Sequence, residues 1–122
     1  MQYLLLCYAD EKGWEELGAG QAAIMDEYAA WGQAIVKSGH YRASAKLGPT
    51  SASTTLREQN GKRITTDGPF AETKEVLGGF VVVEAADIDE AARIAAGWPG
   101  LTTADGRTFE HDRIEVRPIA TR

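Results

Sequence analysis

The sequence predicts an α+β fold, and three observations carry that reading. Two short, strongly apolar runs, YLLLCYA from Tyr3 and GFVVVEA from Gly79, have the length and β-branched or aromatic content of strands. Between and after them the period changes to that of helices. An Asn60-Gly61 pair lies between two Thr-rich runs, which is the strongest short signal for a hairpin, because a type I′ turn needs positive φ at both central residues.

In chain order, Tyr3 to Ala9 reads as the first strand, with no basic leader before it and no small-residue cleavage site after it that would mark a signal peptide. DEKGWEELGAG follows as a loop, with Gly13, Gly18 and Gly20 as breakers. From Gln21 to Ser38 a helix is expected, since Ile24, Tyr28, Trp31 and Ile35 recur at spacings of four, three and four. Gly39 should end it as a left-handed cap, and Gly32 inside it should permit close packing against another element. His40 to Leu47 is a second strand, stopped by Gly48-Pro49. The hairpin about Asn60-Gly61 comes next, then a long connection, TTDGPFAETKEVLGGF, and the strand from Gly79 to Ala85. Asp87, with Glu90 three residues on, opens a second helix as a capping box does; Ile88, Ala91, Ala92, Ala95 and Trp98 should share its inner face. After the polar stretch LTTADGRTFEHD, RIEVRPI alternates as a final strand.

With the hairpin set aside, the order is βαββαβ, the split-βαβ pattern of a ferredoxin-like sandwich, here with an inserted β-hairpin. LLLCY and FVVV present apolar residues to both faces of such a sheet, whereas two helices cover only one. Either the hairpin or a loop folds over the second face, or a second copy packs against it. The expectation is a homodimer forming an α+β barrel.

The 122 residues fit a single domain, residues 1–122, and 43% hydrophobic content supplies a core. Thirteen Lys plus Arg against 18 Asp plus Glu give a net charge of −5, which argues against nucleic-acid binding through bulk charge. Cys7 is the only cysteine and sits in an apolar run, so it reads as a buried hydrophobe. No apolar stretch approaches a membrane span, and a cytoplasmic protein is expected.

The connection TDGPFAETKEVLGGF holds the least ordinary chemistry. Asp67 reads either as a turn cap or as a general base or ligand acceptor whose pKa apolar neighbours would raise. Phe70 anchors the loop or forms a pocket wall, while Lys74 holds an anionic group and Glu72 orients it, unless both are merely solvated. His40, at the mouth of the second strand, is a boundary residue or a proton carrier. Tyr28 and Trp31, with Tyr8, either pack the core or line a cavity between helix and sheet. Asp67, Lys74 and His40 are expected to converge on one cavity lined by Phe70 and an aromatic of the first helix. His111, beside Glu110 and Asp112, shows no metal-ligand spacing, and no phosphate loop, dinucleotide fingerprint or Ser nucleophile motif is present; no metal and no cofactor are expected.

TDGPFAETKEVLGGF, together with YLLLCYADE, STTLREQNGKRITTDGPF, the D-x-D-E-A-x-R-x-A opening of the second helix and the closing IEVRP, closely resembles the DGPF-type members of the YCII-related family over nearly the whole chain. The resemblance implies a ferredoxin-like subunit in a dimeric α+β barrel. DGPF-type members often occur beside genes for extracytoplasmic-function sigma factors, and a distant relative is a dehydrochlorinase acting on a chlorinated hydroxyquinol. A shorter branch of the family carries a His on the first helix, in an R-x-x-H-L pattern, proposed to act with an Asp. The corresponding region here reads MDEYAAWGQ, so that mechanism does not carry over. Two functions are thus expected, a cofactor-free lyase or isomerase abstracting a proton from a small cyclic or aromatic acid, or a ligand-binding module linked to a sigma factor; the charge cluster of the loop disfavours a third, a purely structural dimer.

Overall fold

A computed structural model describes residues 1–69 and 73–121. Four strands form one antiparallel sheet in the order β2-β5-β1-β6: β1 (Gln2–Asp10), β2 (Tyr41–Lys46), β5 (Glu75–Glu84) and β6 (Arg113–Pro118). The two apolar runs are its central strands, as their lack of a polar face requires. β1 and β5 pair from Gln2↔Glu84 to Asp10↔Glu75, with a bulge at Cys7/Tyr8 where Gly78 is the additional residue. A second, two-stranded sheet is the hairpin of β3 (Thr54–Gln59) and β4 (Lys62–Asp67). Its turn has φ of 53° at Asn60 and 77° at Gly61, the type I′ geometry that the Asn-Gly pair predicts.

Three α-helices accompany the sheets among the described residues: α1 (Glu11–Glu16), α2 (Gln21–Lys37) and α3 (Ile88–Ala95). Helix α2 ends as expected. Gly39 has φ of 82°, its N–H donates to the Val36 carbonyl, and the His40 N–H donates to the Ile35 carbonyl, which together make a Schellman motif. Helix α3 is capped by Asp87, whose Oδ1 accepts from the Glu90 N–H at 2.8 Å; the Glu90 carboxylate reaches back to the Ala86 N–H at 3.0 Å.

Tyr3 and Leu5 of β1 and Val81 and Val83 of β5 bury against Ile35, Ala91 and Ala95, so these strand positions form the helix-covered face. By alternation Leu4, Leu6, Phe80 and Val82 face the other way. The inner face of α3 differs from the expected one. Ala91, Ala95 and the following Trp98 are buried, but Ile88 is 49% exposed and Ala92 points to solvent, while Ile94 packs on the core. A helix of eight residues shows the core a narrow stripe, and a stretch that runs past its end shifts the period.

Two further expectations are corrected. The segment after β1 is not a loop: Asp10 caps α1, its carboxylate accepting from the Lys12 and Gly13 N–H groups, so Gly13 lies inside a helix. Gly32 does not permit close packing either. A Cβ placed there meets nothing within 4 Å, and the residue faces open space. Among the described residues no helix is long and apolar enough to cross a membrane.

Candidate functional site

The open space beside Gly32 belongs to a cavity of about 1100 Å³ between α2, α1, the end of the sheet and the segment preceding β6. Each wall follows from local structure. The spacing that buries Ile24 and Ile35 in the core leaves Tyr28 and Trp31 half-buried on the cavity side of α2. Capping of α1 by Asp10 turns Trp14 inward, where it stacks on Tyr28 at 6.2 Å between ring centroids, and Tyr28 stacks on Trp98 at 6.3 Å. Trp31 is fixed by donating from Nε1 to the Ile94 carbonyl at 2.9 Å, so it joins cavity wall and core. Trp98 is itself seated against Gly100, where a Cβ would lie 2.3 Å from the indole ring.

Two polar groups and one thiol meet this aromatic array. Asp112 is half-buried, and its Oδ1 accepts from the Asp10 N–H at 3.2 Å. Burial, reinforced by the Asp10 charge, pushes its pKa up to about 6, against the opposing pull of that hydrogen bond and of His111. The Tyr28 hydroxyl is pushed up to about 12, first by burial and then by the charge of Asp112. The Cys7 thiol, at the floor, is also pushed up to about 12 by burial, so it is no nucleophile. Lys46, at the end of β2, lies over Trp14 with Nζ 5.1 Å from the ring centroid and 3.4 Å from Met25 Sδ.

The predicted site residues are divided by the fold. Tyr28, Trp31 and Lys74 line the cavity. Tyr8 does not; it lies under the Arg113 guanidinium, 4.1 Å from its ring centroid. Asp67 ends β4, paired with Thr54, and is exposed. Its turn is held by backbone, with the Gly68 N–H donating to the Ser53 carbonyl at 2.6 Å, and by the Thr55 hydroxyl donating to the Gly68 carbonyl. Among the described residues the Asp67 carboxylate accepts no hydrogen bond, so no side-chain cap is found there. Phe70 and Glu72 lie outside the described residues. His40 does not converge with Lys74 within the chain. Its Nδ1 bonds the Glu84 carbonyl at 2.8 Å, at the opposite end of β5 from Glu75, and the ten residues of that strand span about 30 Å.

Sequence reasoning therefore missed Asp112, Trp14, Trp98 and Lys46 as members of one site. Trp14 was legible in principle: Asp10 with Glu11 after it is a helix start, which the glycines of the next turns obscured.

Comparison with known proteins gives a family and no reaction. An uncharacterised protein of Rhizobium meliloti (strain 1021) is 38% identical over 123 residues, covering 98% of this chain and 93% of its own. The YCII-related domain matches residues 1–115, nearly the full length described above, and the chain belongs to that family.

Proposed function

We propose that this chain binds a small aromatic or cyclic acid in the α2–sheet cavity and abstracts a proton from it without a cofactor, as a lyase or isomerase, with Asp112 as the general base. The observation that carries this reading is the Asp112 carboxyl, half-buried beside an aromatic wall with its pKa pushed up to about 6. Such a group is mostly ionised at neutral pH yet more basic than an exposed carboxylate, which is what general-base work requires. Tyr28, kept protonated by its pKa of about 12, is the matching donor. In the step, Asp112 takes a proton from carbon, and the C–H electron pair moves into the adjacent carbonyl. The resulting enolate oxygen accepts from the Tyr28 hydroxyl. Asp112 then returns the proton to another carbon, or the electron pair expels a leaving anion and Asp112 releases the proton to solvent. The DGPF-type loop contributes Lys74 to the cavity wall. Asp67 and His40 have no part in this step, one being exposed and the other at the far end of the sheet.

The same reading includes a homodimer. Two ferredoxin-like units, each with its inserted hairpin, pack through the partly exposed Leu4, Phe80 and Val82 into a dimeric α+β barrel, because that face is apolar and the helices occupy the other.

The test is proton exchange in D2O, followed by NMR, over a panel of small cyclic and aromatic keto acids. The wild type exchanges a carbon-bound proton of at least one, with a rate that rises with pH and levels above about 6. Asp112→Asn lowers it by roughly a hundredfold or more. Absence of exchange across the panel sinks the enzymatic reading, and binding without exchange assigns the cavity to ligand sensing.

A further inference from the structure

Lys46 is an unusual cation. It ends β2 opposite Gly79, which has no side chain to crowd it. Its ammonium rests against the face of Trp14 and the Met25 sulfur, and among the described residues no carboxylate lies within ion-pair distance. Acidic groups are nevertheless close at hand in the same cavity: Asp10, Glu11, Glu15, Glu110 and Asp112. Several of these are engaged elsewhere. Asp10 caps α1, and Glu11 accepts from the Thr50 N–H and hydroxyl. The positive charge is thus left with soft, weak partners, poised over the ring that forms one end of the aromatic wall.

We propose that Lys46 selects the ligand of this cavity, pairing with the carboxylate of a planar aromatic acid whose ring lies on Trp14 and Tyr28. This rests on the cavity being the site assigned above, but not on Asp112 acting as a base. The order of groups along the wall gives the orientation. Lys46 is over Trp14, Trp14 stacks on Tyr28, and Tyr28 feels the charge of Asp112. The acid group of the ligand then sits at the Lys46 end of the wall, over Trp14. The anion is a carboxylate and not a phosphate because a dianion would meet five carboxyl groups that line the same cavity against the two ammonium groups of Lys46 and Lys74.

Benzoate and its neutral isostere benzamide are the probes, titrated against the protein by tryptophan fluorescence, with folding of each variant checked by circular dichroism. The wild type binds benzoate at least roughly tenfold more tightly than benzamide, and the difference shrinks with added salt. Lys46→Met, which keeps the stem and removes the charge, binds the two equally; Lys46→Arg retains the preference. Unchanged preference for benzoate in Lys46→Met overturns the proposal, and so does inorganic phosphate displacing benzoate at equal concentration. If neither probe binds, both this proposal and the cavity reading fall. Benzoate selectivity that depends on Lys46, alongside proton exchange indifferent to Asp112→Asn, would uphold the anchor and remove the base.

Discussion

At Asp112 desolvation outweighs the hydrogen bond from the Asp10 N–H, and the carboxyl holds its proton to about pH 6 instead of the ordinary 3.8. The folded state therefore binds more protons than the unfolded chain between those values. The stability this group allows is complete below about 3.8 and is lost as pH rises through about 6. Asp112→Asn keeps an oxygen for the Asp10 N–H and cannot ionise. Its melting temperature relative to wild type should thus climb as pH goes from 4 to 7, read by thermal denaturation across that range; a constant difference would mean that the carboxyl is not perturbed. Asp67→Asn should do nothing comparable. The side chain is exposed and unbonded among the described residues, so melting should stay within about 0.5 kcal/mol of wild type and benzoate titrations should be unchanged. The contrast shows what a sequence can display. Asp67 stands in a conspicuous loop motif and draws attention by its neighbours. Asp112 owes its character to burial against segments distant in the chain, Asp10 lying 102 residues away, which no local pattern records.

Among the elements, those with a period or a cap were legible. Helix α2 announced itself by four apolar residues and a terminal glycine, α3 by Asp87 and Glu90, and the hairpin by Asn60-Gly61. The segment before β6 was not, because its anchors are long-range: the Glu27 carboxylate on α2 accepts from the Ala104 N–H at 2.6 Å, and Asp112 holds it to β1. Two substitutions probe the elements. Gly61 has φ of +77°, where a β-branched residue is strained by about 1–2 kcal/mol, so Gly61→Val should speed amide exchange in β3 and β4. Since, among the described residues, those strands pair only with each other, exchange in β1 and β5 should hardly change; equal protection in all four would mean that the turn tolerates the side chain. Gly79→Ala places a Cβ 2.9 Å from the Ala45 carbonyl oxygen and must push β2 from β5. Global melting should fall, and an unaltered melt would show that the strands have slack.

For the whole molecule, strand order follows from hydrophobic content, since the two most apolar strands are the two central ones. What local pattern could not give is the empty volume between α2 and the sheet, because a cavity is set by side chains from five or six segments at once. Light scattering at micromolar concentration should show a dimer, and Val82→Lys, which puts a charge on the face away from the helices, should give a folded monomer; a wild-type monomer would end the barrel model. One last consequence comes from Cys7. It lies mid-sheet at the floor of the cavity, and its thiol ionises only near pH 12. Alkylation should be slow, and slower again when a ligand covers the sulfur. The chain thus carries its own occupancy gauge: the rate at which a thiol reagent marks its single cysteine reports, on unmodified protein and without a coloured substrate, whether any candidate molecule has entered the cavity.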